Sequence, residues 1–146
     1  MIKSLKVLFQ TPPGDDEETQ RRSIRLAAAV LLVETARADF TEDITEMNKL
    51  KDLLTSSLQL SDDEVHDLVT AAKERVEEST SLFDFTRIIN DHYNTEQKLE
   101  LIRAMWAVAY ADGNLSKYEE HLIRQVADLT YVTHSDYIHC KVTAQP

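Results

Sequence analysis

The chain has 146 residues, of which 42% are hydrophobic, enough to bury one good core and too few for two independent ones. Two glycines and three prolines are far fewer than the turns of an all-β chain require, so helices are favoured. Twenty-six acidic against sixteen basic side chains give a formal net charge of -10, a field that repels nucleic-acid phosphates and anionic lipid headgroups.

Met1 to Phe9 carries Ile2, Leu5, Leu8 and Phe9 on one side of a short amphipathic helix, and Thr11-Pro12-Pro13-Gly14 interrupts it. Residues 1–14 read as an arm and linker, the arm packing back on the domain or meeting a partner or a membrane surface. They have no small-residue cleavage site and no long apolar stretch, so a signal peptide is not expected. The domain proper is placed at 15–146. A long helix is expected from Asp15 or Asp16 to Asp39, acidic in its first turn and largely buried through Ile24, Leu26, Ala27, Val30, Leu31 and Ala38. Its apolar run, Leu26 to Val33, is far below the roughly 20 residues of a membrane span.

The next helix starts near Asp43, with Met47, Leu50, Leu53, Leu54 and Leu58 on its core face. Ser61-Asp62-Asp63-Glu64 is a capping box, in which serine and glutamate each bond the other's backbone amide, and it opens a helix to about Glu78. Ser81-Leu82-Phe83-Asp84 is a looser start signal for a shorter helix with Phe85, Ile88 and Ile89, running toward Tyr93. Asn94 and Gln97 cap a helix expected to end at Asp112. Ser116-Lys117-Tyr118-Glu119 is a second full capping box, with Leu122, Ile123 and Val126 facing inward behind it. A last short helix begins at His134 or Ser135. Trp106, Met105, Tyr110, Phe83 and Phe85 are assigned to the core. The expected fold is all-α, a compact bundle of about seven helices.

Sliding the sequence by 73 residues superimposes the helix before Asp39 on the helix before Asp112 without a gap. Ala36, Ala38, Asp39, Glu46 and Asp63 fall on Ala109, Ala111, Asp112, Glu119 and Asp136, and the apolar register is kept. This gives repeat one at about 25–69 and repeat two at about 98–142, with an expected pseudo-twofold packing of the two long helices.

In each copy a tight turn separates an Asp from a Glu. Gly113 suits the left-handed position after a helix, whereas Phe40 stands in its place in the first copy. Two readings remain open. Either the acids are helix caps and turn acceptors, or Asp39, Glu46, Asp112 and Glu119 hold a hard divalent cation such as Ca²⁺ or Mg²⁺. An Asp in the last turn of a helix meets the negative end of its dipole, which favours the cation. An EF-hand is excluded, since a loop starting at Asp112 puts Lys117 where glycine and Ile123 where glutamate are needed.

His134, His139 and the single cysteine, Cys140, match no standard zinc spacing and read as a partly exposed C-terminal segment. A lone cysteine forms no internal disulfide, which points to the cytoplasm. No glycine-rich phosphate loop or nucleophile elbow occurs, so no catalytic residue and no organic cofactor are assigned. A small hydrolase built on paired carboxylates lacks a nucleophile and an orienting group.

The segment Ala107-Val108-Ala109-Tyr110-Ala111-Asp112-Gly113-Asn114-Leu115-Ser116-Lys117-Tyr118-Glu119 resembles the signature of the TerB family of tellurite-resistance-associated helical proteins, with a weaker echo from Glu34 to Asp39 and on to Glu46. The similarity runs from about Leu26 to Val142. It implies a compact all-helical domain with internal pseudosymmetry, a non-enzymatic role in metal sensing or stress-response assemblies, and acidic positions at Asp39, Glu46, Asp112 and Glu119. The expected ligand is Ca²⁺, Mg²⁺ or Zn²⁺, and the expected partner another protein or a second copy, not nucleic acid or a membrane interior.

Overall fold

The computed structural model describes residues 17–37, 44–58, 60–78, 81–111, 113 and 115–144. Within them the chain forms seven α-helices and no strand: α1 (Glu17–Ala36), α2 (Ile44–Leu58), α3 (Asp62–Glu78), α4 (Phe83–His92), α5 (Thr95–Ala109), α6 (Lys117–Leu129) and α7 (His134–Ala144). The all-α bundle expected from the sequence is what forms. The N-terminal arm, Ala38, and the first-copy turn from Asp39 to Asp43 lie outside the described residues, as do Asp112 and Asn114.

Helix α1 is buried nearly all round. Every residue from Ala27 to Val33 is at most 1% exposed, as suits a helix enclosed by α2, α3, α4, α5 and α6. Helix α5 is the second enclosed element, packed against α1, α2, α6 and α7 and supplying Leu101, Ile102, Met105, Trp106 and Val108 to the core. The outer helices bury one stripe each: Met47, Leu50 and Leu54 on α2, Val65, Val69 and Ala72 on α3, and Ile123, Val126 and Ala127 on α6. No described helix is long and apolar enough to cross a membrane.

Helix starts follow the side chains that cap them. Ser61 and Glu64 exchange bonds of 3.0 and 3.2 Å, Asn94 and Gln97 two of 2.9 Å, and Ser116 and Glu119 two of 2.9 and 3.1 Å. At α4 the signal works differently. Leu82 occupies the cap position with helical torsions, and the Ser81 hydroxyl accepts from the Phe83 amide at 3.1 Å. That geometry turns Phe83 outward, where it is 57% exposed while Phe85 is buried, so the assignment of Phe83 to the core is corrected. Two helix ends also differ from expectation: α1 stops at Ala36 and α5 at Ala109, three residues short of Asp39 and Asp112. Tyr110 caps α5, and the Gly113 amide donates to the Tyr110 carbonyl at 2.9 Å across a turn in which Gly113 takes the left-handed φ of 77°.

Candidate acidic site

Glu46 and Glu119 occupy the same place in their helices. Each is the third residue, of α2 and α6 respectively, and each is only 4% exposed. A carboxylate so placed at a helix N-terminus sits in the positive end of the dipole and near free amide groups. For Glu119 the partner is explicit: Oε1 accepts from the Ser116 amide, while the Glu119 amide donates to the Ser116 hydroxyl. Its second oxygen, Oε2, is buried with no hydrogen-bond partner among the described residues. Carboxylate oxygens are seldom left that way without a compensating group, so this one has capacity for a donor or a cation.

Helices α2 and α5 meet at an open groove that neither Glu46 nor Glu119 lines. Thr45, beside Glu46 on the first turn of α2, and Ala111, beside Asp112 in sequence, line the same open groove of about 480 Å³. Asn48 and Lys49 of α2 form one wall, Tyr110 and Ala107 of α5 the other, and Ala144 of α7 closes an end. Behind the groove Tyr110 stacks on the fully buried Trp106, with ring centroids 5.7 Å apart, which fixes the tyrosine at the helix end. Lys141 of α7 lies 5.3 Å from the Trp106 ring and pairs with Glu120 of α6 at 3.2 Å, holding α5, α6 and α7 together behind the second acidic motif.

Of the four acidic positions singled out in the sequence, Glu46 and Glu119 are placed, and Asp39 and Asp112 lie outside the described residues. Among the described residues no three Asp, Glu, His or Cys side chains gather into a cluster. The C-terminal histidines and cysteine do not form one either: His134 and His139 are exposed, whereas Cys140 is fully buried with its thiol toward the Leu99 carbonyl at 3.5 Å. Burial pushes that thiol's pKa up, away from the reactive thiolate. Sequence reasoning had no means of finding the groove, because it arises from the packing of α2 against α5, elements about fifty residues apart in the chain.

The family model of the tellurite resistance protein TerB matches residues 25–142. The chain belongs to the TerB family. The match runs from the third turn of α1 to the body of α7 and contains both acidic motifs, leaving the arm outside it. No curated protein and no solved structure matches the chain. The TerB assignment thus agrees with the resemblance carried by Ala107 to Glu119 and with its expected extent from about Leu26 to Val142.

Proposed function

We propose that this TerB-family domain is a non-enzymatic module of the cytoplasm that holds a divalent cation at its paired acidic motifs, in a stress-response or tellurite-resistance setting, and works through a protein partner. The observation that carries the reading is Glu119, whose Oε1 caps α6 while Oε2 stays buried with no partner among the described residues. A cation is the ligand that such an oxygen favours, and Ca²⁺ or Mg²⁺ suits an all-carboxylate set better than Zn²⁺ does. The ligands on this reading are Asp39, Glu46, Asp112 and Glu119. The repeated placement of Glu46 and Glu119 on their helices supports the duplication read from the sequence.

A second reading has its own observation. Ser61 and Glu64 form the same reciprocal bonds at an exposed helix start, so the box stabilises a helix with no ion involved. On this view the acids are caps only, and the domain is a protein-interaction module.

Titrating metal-stripped protein with Ca²⁺, Mg²⁺ and Zn²⁺, followed by calorimetry and by melting temperature, separates the two. Binding predicts heat and a rising melting temperature, since a ligand at 100 times its Kd adds about 2.7 kcal/mol of stability. Glu119→Gln keeps an oxygen for the Ser116 amide but removes the charge, so it should abolish the metal response and leave the helix start formed. No heat and no thermal shift at millimolar metal would remove the cation. Asp39→Ala with Asp112→Ala then measures capping alone, as a stability loss indifferent to metal.

A further inference from the structure

The second acidic motif is held from behind by the helix that follows it. On the α5 side of the turn, the Tyr110 carbonyl accepts from the Gly113 amide, and the Tyr110 ring stacks on Trp106. On the α6 side, Glu120 stands beside Glu119 in the first turn, and its amide donates to the Ser116 carbonyl at 3.1 Å. Helix α7 bears on both sides. The Tyr137 ring lies 5.5 Å from that of Trp106, and its hydroxyl donates to the Glu120 carbonyl in a long bond of 3.5 Å. One turn further along α7, the Lys141 ammonium lies 5.3 Å from the Trp106 ring and donates to Glu120 Oε2 at 3.2 Å.

These contacts matter less for their energy than for their place. The side chains of Lys141 and Glu120 are 28% and 48% exposed, and ion pairs so open to water add little to stability. Within one helical turn the backbone is stiff, so whatever fixes Glu120 fixes Glu119 beside it. Metal ligands must stand within about 0.2 Å of their ideal distances, so a slight rotation of the α6 start is felt by a cation before it is felt by the fold. Groups that orient a ligand without touching the ion govern affinity in this way. Lys141 also carries a positive charge, which by Coulomb repulsion alone opposes a second cation nearby. Charge and positioning therefore predict opposite results when that lysine is neutralised.

Building on the cation reading above, we propose that α7 is the responsive element of the acidic site. Tyr137 and Lys141 are positioning residues: they brace the first turn of α6 against Trp106 and so hold the Glu119 carboxylate where it meets the ion. Because linkage is reciprocal, a cation held by Glu119 in turn tightens α7 onto α5 and α6. Occupancy of the site is thereby passed to a helix that carries none of its ligands.

Calorimetric titration of the metal-stripped full chain with Ca²⁺ and with Mg²⁺ is repeated on three variants. Lys141→Met keeps the apolar stem over Trp106 and should weaken binding about fivefold or more, in spite of the positive charge it removes. Tyr137→Phe, which loses only the hydroxyl, should weaken it in the same direction. Lys141→Arg still reaches Glu120 and should hold the affinity within about twofold of the original. In the unaltered protein, saturating metal should slow amide hydrogen exchange across α7 more than across α4, which meets α6 at its far end through Asn90 and the Leu129 carbonyl. Unchanged or tighter binding by Lys141→Met would overturn the proposal and leave the cation reading standing, and so would metal that protects α7 no more than α4. Absence of any response to either metal in the unaltered protein would overturn both.

Discussion

Glu34 shows how a single side chain can work against the fold. It lies part-buried on α1, and burial raises its pKa above the usual carboxylate value, with the nearby Arg37 pulling the other way. A carboxyl whose folded-state pKa is raised stabilises the fold while it is protonated, below its unfolded value, and that contribution is lost as the pH rises through the folded value. At neutral pH the charged Glu34 is therefore a small burden. Glu34→Gln should raise the melting temperature at pH 7, by about 1–3 °C. The gain should shrink to nothing once the pH drops below the ordinary glutamate range, where both proteins are neutral at that position. Melts of the two proteins at pH 7 and at pH 4 check this, and a gain of equal size at both would mean that desolvation of charge is not its cause. Exposed Glu64 behaves oppositely: hydrogen bonds from the Ser61 amide and hydroxyl hold its carboxyl below the usual range, so its capping contribution is present at neutral pH and fades in acid.

At the scale of helices, the two C-terminal ends of α5 and α6 make a matched contrast. Gly113 follows α5 with a φ of 77°, and Tyr131 follows α6 with a φ of 62°. After α6 the Val132 amide donates to the Ala127 carbonyl at 2.9 Å and the Tyr131 amide to that of Asp128 at 3.2 Å, the double bond pattern that ends a helix through a left-handed residue. Glycine takes that conformation freely and tyrosine does not. Tyr131 is 80% exposed, and its ring lies 5.7 Å from the Lys98 ammonium, an exposed contact of low value. Tyr131→Gly should therefore stabilise the protein by about 0.5–1 kcal/mol, the relief of strain exceeding the extra freedom glycine gains on unfolding. Gly113→Ala should cost about 1 kcal/mol through backbone strain alone, since an added Cβ meets nothing within 4 Å. Denaturant unfolding of both variants reads these opposite signs. The same contrast marks how much the sequence discloses. Helix starts were legible because Ser61, Asn94 and Ser116 cap through local bonds that a four-residue pattern specifies. The end of α6 was not, because a tyrosine sits where the expected glycine would have announced it. Thr133 was missed as the cap of α7, its hydroxyl accepting from the Asp136 amide at 3.1 Å, because no Glu or Gln follows at the third helical position to complete the box. Phe83 was misplaced because apolar character alone does not say which way a first-turn side chain points.

For the molecule as a whole, the decisive property is that two enclosed helices share the core. Helix α1 touches five of its neighbours and α5 touches four, including each other, so no plane divides the chain into a first and a second repeat that could open separately. This level was only half legible from sequence. Periodicity identified the buried faces, yet which outer helix lies against which inner one is set by packing between distant segments. The candidate site shares that limit: the spacing of Asp112 and Glu119 is local, whereas the meeting of Thr45 with Ala111 in one groove is not. The packing carries a prediction of cooperativity. Trp106, the chain's single tryptophan, is fully buried on α5, stacks with Tyr110 and meets the Tyr137 ring of α7 at a tilt, so its emission reports on the second half of the chain. Far-ultraviolet circular dichroism reports on all seven described helices together. If α1 and α5 form one core, both signals should follow a single transition with the same midpoint and the same denaturant dependence. Trp106→Phe, which keeps an aromatic ring but loses contact area and an indole N–H that is buried without a partner among the described residues, should lower that midpoint without splitting it. Two separated midpoints, with tryptophan emission changing before or after the helical signal, would show instead that the halves unfold as independent units and that the α1–α5 contact contributes little to holding them together.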